Sequence, residues 1–344
     1  MLKKVIDSSK VDHFVRWFDR SEKIVLISHF SPDGDAIGSA LGLFHFFTSQ
    51  RKEVQVIMPN DYPSFLKWMP GSEGVLLYEK EKEKCEDLIN NADVLVCLDF
   101  NTPSRVGEMK DVLLNTPARK ILVDHHPYPE DFCRIIMSYP HISSTSELVF
   151  RLICAMGYYG EISREAAECI YTGMMTDTGN FTYNSNQEEI YTIIYNLIKK
   201  GINKDAIYRK VFNTYSVDRM KLQGHIISKI RIYPNHHASL MTLTEKEKTE
   251  YNFIKGDSEG FVNIPLAIDD IILSCFFVEN KEQGLIKVSL RSQGNFPCNK
   301  MAAEYFNGGG HLNASGGEFD GTMEQAIEVY ERALHTYAEL LQEG

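Results

Sequence analysis

Histidines and aspartates recur in this 344-residue chain wherever an apolar run ends. The first group, in the segment S-H-F-S-P-D-G-D-A-I-G-S-A-L-G at 28–42, follows the apolar run 24–27 and holds His29, Asp33 and Asp35 in one tight loop. Asp99 follows the run 94–98, and Asp124, His125 and His126 follow 121–123. A further carboxylate, Asp177, ends the small-residue stretch G-M-M-T-D. Carboxylates and imidazoles gathered this closely desolvate badly and repel unless a cation sits among them. Mixed oxygen and nitrogen donors suit Mn²⁺ best, with Mg²⁺, Co²⁺ or Fe²⁺ next and Zn²⁺ also compatible. There are more donors than one ion needs, which favours two ions ~3.5–4 Å apart sharing a carboxylate. Plainer explanations exist for each residue alone. Pro32-Asp33-Gly34 is a turn signal, Asp35 could cap the next helix, and an Asp-His pair can be a structural hydrogen bond. The repetition at successive strand ends is what favours the metal.

Those side chains need a scaffold that brings strand ends together. Runs at 24–27, 54–58, 94–98 and 121–123 read as buried strands, and helical spacing of apolar residues fills the gaps between them. The alternation predicts an α/β fold: a mostly parallel, five-stranded sheet flanked by helices. Ligands of such sheets bind at the carboxyl ends of the strands. An amphipathic helix is expected at 11–20, a short aromatic helix or turn at 63–69 and a charged helix at 79–91. From Thr145 the pattern turns helical, at 147–156, 164–175, 189–200 and 204–211, with a linking helix at 216–230. A smaller mixed α/β unit follows. It has strands at 237–243, 271–278 and 285–290, a helix at 299–306, a glycine-rich loop at 308–317 and a closing helix at 323–341. Residues 245–257 are polar and poorly periodic and receive no assignment.

Composition narrows the function. The net charge of −11 argues against gripping long duplex nucleic acid, which needs a basic face, but allows a short phosphorylated ligand. The seven cysteines are odd in number, scattered and without CxxC spacing, which supports neither a disulfide framework nor a thiolate zinc site. The N-terminus lacks the apolar core of a signal peptide, and no run approaches the ~20 apolar residues of a membrane span. A reduced, cytoplasmic protein with no membrane partner is expected.

The segments H-F-S-P-D-G-D (29–35), L-D (98–99), D-H-H (124–126) and T-D-T-G (176–179) resemble, in order, the four motifs of the DHH phosphoesterase family. In the second unit, V-S-L-R-S (288–292) and N-G-G-G-H-L-N-A-S-G (307–316) resemble the DHHA1 substrate domain, of the nanoRNase/pAp phosphatase type. The resemblance implies a DHH metal-binding catalytic domain over 1–212, a linker helix over 213–235 and a DHHA1 domain over 236–344. It implies that His29 and Asp33 bind one Mn²⁺, that Asp35, His125 and Asp177 bind the other, and that Asp99 bridges them. Asp124 would orient a ligand imidazole, and His126 would face the scissile phosphate. Arg291, Gly308, Gly309, Gly310, His311 and Asn313 would contact substrate. Asn307 stands where many relatives carry glycine, and asparagine tolerates the left-handed backbone region. The implied activity is hydrolysis of short single-stranded oligonucleotides to mononucleotides and of 3′-phosphoadenosine 5′-phosphate (pAp), by a homodimer if related proteins are a guide. Three alternatives stand beside it: a cyclic-dinucleotide phosphodiesterase, a DHH-type inorganic pyrophosphatase and a nucleotide-binding sensor without catalysis.

Overall fold

A computed structural model describes residues 4–342. The chain divides into two compact units, one up to Thr214 and the other from Tyr215 onward. The first opens with α1 (Ser8–Arg20), β1 (Lys23–Ile27), α2 (Gly34–Ser49), β2 (Glu53–Met58), β3 (Leu76–Leu77), α3 (Lys82–Asn90) and β4 (Val94–Leu98). It continues with α4 (Lys110–Asn115), β5 (Arg119–Asp124), β6 (Ile135–Ser138), α5 (Thr145–Ala155), α6 (Arg164–Asp177), α7 (Glu188–Lys199) and α8 (Lys204–Phe212).

The sheet is parallel throughout and has six strands rather than five, in the order β3-β2-β1-β4-β5-β6. The two strands that no apolar run announces, β3 and β6, are too short, at two and four residues, to show a period. Strand order reverses between β1 and β4, the position where open α/β sheets leave a crevice at their carboxyl edge. Register brings the motif-bearing ends level: Ile27 pairs with Cys97 and Leu98 with Val123. Ser28 Oγ donates to the Leu98 carbonyl at 2.7 Å and ties the two loops at the switch together.

Helix α2 is buried almost all round over 34–43, because it lies between the sheet and α6. Its glycines make that approach possible. A Cβ at Gly38 would meet the Cys169 carbonyl at 2.7 Å and Gly173 Cα at 2.8 Å, and one at Gly42 would meet Ile170 Cγ1 at 2.7 Å. Leu26, Ile37, Leu41, Val96, Val123, Leu148, Ile170 and Met174 form the core on this face, and Ile27, Cys97, Phe100, Val106 and Leu122 the core on the other.

The second unit comprises α9 (Val217–Ser228), β7 (Arg231–Tyr233), β8 (Ala238–Leu243), α10 (Glu245–Glu250), β9 (Leu273–Asn280), β10 (Leu285–Ser292), α11 (Cys298–Tyr305), β11 (Gly309–His311), β12 (Ala314–Phe319), α12 (Met323–Thr336) and α13 (Ala338–Gln342). Its sheet runs β11-β12-β10-β9-β8-β7, antiparallel except between β8 and β9. Residues 308–317 are therefore mostly a hairpin and not a loop, with Gly309 opposite Gly316 and His311 opposite Ala314. Glycine suits this strand pair sterically: a Cβ on Gly317 would lie 2.3 Å from the Phe306 carbonyl. The polar stretch at 245–250 is a helix held by a capping box between Thr244 and Glu247, a signal that outweighs its missing apolar period. Among the described residues no helix is long and apolar enough to cross a membrane.

Candidate metal centre

His29 and Asp33 leave β1 in the loop before α2. Asp33, rather than Asp35, is the cap of that helix: its Oδ1 accepts from the backbone N–H groups of Asp35 and Ala36, both at 3.0 Å. That frees the Asp35 carboxylate to point inward, where it is buried and accepts from the N–H of Thr145 at 2.6 Å and of Ser146 at 2.8 Å. These are the first N–H groups of α5, which would otherwise lack partners. Thr145 also donates its hydroxyl to Asp99 Oδ1 at 2.8 Å. Neither Thr145 nor Ser146 was expected to hold a site carboxylate. The signal was the run S-S-T-S-E (143–147), a helix start aimed at the strand ends.

Asp99 follows β4 with φ of +64°, a left-handed conformation that aspartate adopts more readily than most residues. Its carboxylate is the hub. Oδ2 lies 3.5 Å from His29 Nε2, and Oδ1 lies 3.6 Å from His125 Nε2 and 3.7 Å from His126 Nδ1. His29 Nε2 is also 3.8 Å from Asp33 Oδ1, and His125 Nε2 is 3.4 Å from Asp177 Oδ2. Sets of donor atoms within 4.8 Å of one another in this unit are His29, Asp33 and Asp99; Asp35, His125 and Asp177; and Asp99, Asp124 and His126.

These donors fit divalent cations. His29 Nδ1 lies 2.9 Å from the Phe30 carbonyl, and His125 Nδ1 lies 3.2 Å from that of Ile142. A carbonyl only accepts, so Nδ1 carries the proton and Nε2 turns its lone pair toward carboxylate oxygens. Such facing acceptors need a positive charge between them. Separations of 3.4–3.8 Å exceed a hydrogen bond. They approach the spacing of about 3.0–3.5 Å between neighbouring donors on one ion with bonds of about 2.1 Å. Asp124 Oδ2, also buried, has no hydrogen-bond partner among the described residues, although Oδ1 of the same carboxylate meets His126.

The titration behaviour of the metal-free cluster records this crowding. Burial, reinforced by Asp99 and Asp177, pushes Asp35 well above the usual carboxylate range. Asp177 is raised to about 7, by burial and then by Asp99 and Asp33 against the pull of His125. For Asp99, burial is outweighed by the neighbouring His29 and by the charges of His126 and His125, and its pKa is lowered. Burial works against the charged form of His125, yet Asp177, Asp99 and Asp35 raise it to about 9. In His29 burial is likewise overcome by Asp99 and Asp33, with the Arg105 guanidinium opposing, and the net shift is upward.

Not every expected contact forms. Asp124 Oδ1 pairs with His126 Nδ1 at 2.8 Å, so it orients the histidine expected to face substrate and not a ligand imidazole. Gly34, read from the sequence as part of a turn signal, also serves packing: a Cβ there would lie 2.2 Å from Thr176 Oγ1 on α6. In the second unit, Arg291 on β10 donates Nη1 to the carbonyls of Leu290 and Ser315, at 2.9 and 3.4 Å. The Gly308 N–H is taken by the Ala302 carbonyl at 3.0 Å and so is not offered to a phosphate. Asn313 spends its amide on Ser292 Oγ and the Gly294 carbonyl, at 2.9 and 3.1 Å, which makes it a brace for the hairpin. Gly309, Gly310 and His311 line the edge strand β11, and Asn307 just before it has φ of +46°.

Comparison with known proteins agrees with this layout. Residues 23–174 match the DHH family, N-terminal domain, and residues 240–343 match the DHHA1 domain. The chain is 31% identical to the bifunctional oligoribonuclease and PAP phosphatase NrnA of Thermus thermophilus, over 92% of this chain and 90% of that one. An exopolyphosphatase-related protein from Bacteroides fragilis superposes with a TM-score of 0.96 at 61% identity, covering 99% of this chain and 100% of the other. RecJ from Thermus thermophilus, solved with Mn²⁺, shares the fold at a TM-score of 0.56 and 13% identity, over 96% of this chain and 54% of that one. The chain belongs to the DHH/DHHA1 phosphoesterase family.

Proposed function

We propose that the protein is a Mn²⁺-dependent phosphohydrolase that cleaves short single-stranded oligonucleotides to mononucleotides and removes the 3′-phosphate of pAp. The observation that carries this reading is the place of Asp99 between two donor sets at the switch of the sheet, with Oδ2 3.5 Å from His29 Nε2 of one set and Oδ1 3.6 Å from His125 Nε2 of the other. The NrnA relative, whose name gives both activities, supports the substrate class.

In this reading His29 and Asp33 hold one ion, Asp35, His125 and Asp177 the other, and Asp99 both. Two ions so held would supply Lewis acidity to the phosphoryl oxygens and lower the pKa of water. The chain does the rest. Backbone N–H groups of Thr145 and Ser146 fix Asp35 in place before any ligand arrives. Asp124 fixes the tautomer of His126, so that Nε2 is the nitrogen that exchanges a proton with the departing oxygen. We assign Arg291, Gly309, Gly310 and His311 to substrate phosphate contacts of the second unit. A guanidinium matches the phosphate geometry there better than an ammonium would.

The name of the Bacteroides fragilis protein favours a second substrate, the terminal phosphate of a polyphosphate chain. One product time course separates the two. RNA and DNA of two to seven nucleotides, pAp, cyclic di-AMP, pyrophosphate and short polyphosphate are each incubated with enzyme and Mn²⁺. Dinucleotide and pAp turned over fastest support the nucleotide reading, and phosphate released fastest from pyrophosphate or polyphosphate overturns it.

A further inference from the structure

The metal ligands leave one neighbouring residue without a role. Phe30 lies between His29 and Ser31, and its side chain is 49% exposed at the rim of the centre. Its backbone is fixed on both sides. The Phe30 N–H donates to the Arg105 carbonyl at 2.6 Å, and its own carbonyl receives His29 Nδ1 at 2.9 Å. Ser31, with φ of +57°, donates its N–H to Asn60 Oδ1 at 2.6 Å and holds the far side of the turn. The ring rests against Gly107, whose missing Cβ would lie 3.4 Å from Phe30 Cδ2 and whose φ of +57° favours glycine. The ring is therefore in contact with protein at Gly107 and about half open to solvent.

An open aromatic face costs solvation and needs an explanation when a turn is built to hold it. A neighbouring charge gives one. Arg105, whose backbone carbonyl receives the Phe30 N–H, is exposed and has no ion pair among the described residues. In a chain with a net charge of −11, an unpaired arginine beside an open ring suits a ligand that is anionic at one end and flat at the other. A nucleotide has that form. Other exposed aromatics stand near the motifs: Tyr128, at 89% exposure, and Tyr183, at 44%, whose ring lies against Gly179 and not beside a metal donor.

We infer that Phe30 is a stacking platform for the base of the nucleotide whose phosphate is cleaved, with Arg105 countering that nucleotide's charge. The inference rests on the nucleotide reading and deepens it. Because His29 is oriented by the Phe30 carbonyl, the platform and a donor of the metal centre are adjacent residues held by one contact. A substrate with a base stacked on the ring would thereby be placed in register with the ions. An inorganic substrate would gain nothing from it.

The test compares pAp with the same sugar bisphosphate lacking its base, on wild type and on Phe30→Ala, Phe30→Trp and Arg105→Ala. Phe30→Ala keeps the backbone contacts that orient His29. It is expected to lower the preference for pAp over the abasic compound about tenfold, through KM, with melting temperature and Mn²⁺ affinity unchanged. Phe30→Trp should keep the preference. Arg105→Ala should lower kcat/KM on both compounds and leave their ratio alone. An unaltered preference in Phe30→Ala overturns the platform, as does a loss of Mn²⁺ binding, which would make the ring a structural support. A wild type that cleaves polyphosphate and no nucleotide overturns the reading beneath it instead.

Discussion

His125 Nε2 lies 3.4 Å from Asp177 Oδ2 and 3.6 Å from Asp99 Oδ1, while its Nδ1 faces the Ile142 carbonyl. Nε2 is thus the nitrogen that meets both carboxylates, carrying a proton in the metal-free protein and free to give it up to a divalent cation in its place. Mn²⁺ should therefore stabilise the fold by about 2.7 kcal/mol at a hundred times its Kd, an increase of several degrees in melting temperature. Asp99→Asn tolerates the same backbone angle but removes the shared charge. It should abolish that increase and lower hydrolysis on the order of 10³-fold. Thermal melts with and without a chelator check the first result, and a turnover assay checks the second.

His125 also sets a pH dependence in the metal-free protein. Its pKa is raised from 6.5 to about 9, so the folded state binds the proton more tightly than the unfolded chain. The resulting stability is fully present below pH 6.5 and is lost as pH rises through 9. Asp177, raised to about 7, works in the same sense at lower pH, since its charged form is disfavoured in the folded state. In chelator, urea midpoints should fall from pH 6 to pH 9, and His125→Gln should flatten that fall. A midpoint that rises over this range would contradict the assignment.

The Asp124–His126 pair should act on rate more than on binding. Asp124→Asn leaves a group of the same size but no longer dictates which ring nitrogen carries the proton. A fall in kcat of roughly 10- to 100-fold is expected, and His126→Ala should lower kcat by about 10²- to 10⁴-fold. Both changes should leave the metal-dependent increase in melting temperature in place. Steady-state kinetics across pH 6 to 9 distinguishes this from a fold defect.

Gly34 tests the helix contact. A methyl group there would lie 2.2 Å from Thr176 Oγ1 and 2.7 Å from Thr176 Cγ2. Gly34→Ala should cost about 1–3 kcal/mol through overpacking, and Thr176→Ala in the same chain should recover part of it. Urea unfolding of the single and double variants gives the coupling between the two residues.

Much of this arrangement was legible in the residues themselves. Apolar runs ending in Asp99 or in Asp124-His125-His126 gave the strands and the donors together, because a parallel strand buried on both faces has little choice but Val, Ile and Leu. The glycine-rich segment was harder. Gly308–Gly310 read as a loop because glycine permits both a phosphate cradle and a tight strand pair, and the choice depends on Phe306 and Gly316, which only the fold brings close. The partner of Asp124 was similarly hidden. Two histidines are adjacent in sequence, and which of them the carboxylate meets depends on how the chain turns after β5. Thr145 and Ser146 reach Asp35 through backbone N–H groups, so the run S-S-T-S-E announces a helix start but not which carboxylate it meets.

The reversal of strand order between β1 and β4 has one more effect. His29 and Asp99 stand at the ends of two adjacent strands whose onward connections run to opposite edges of the sheet. The opening between them is thus a property of connectivity and would persist through wholesale replacement of the side chains lining it. Substrate choice can drift by exchanging residues such as Phe30 on the rim, while the place where phosphate is handled stays put.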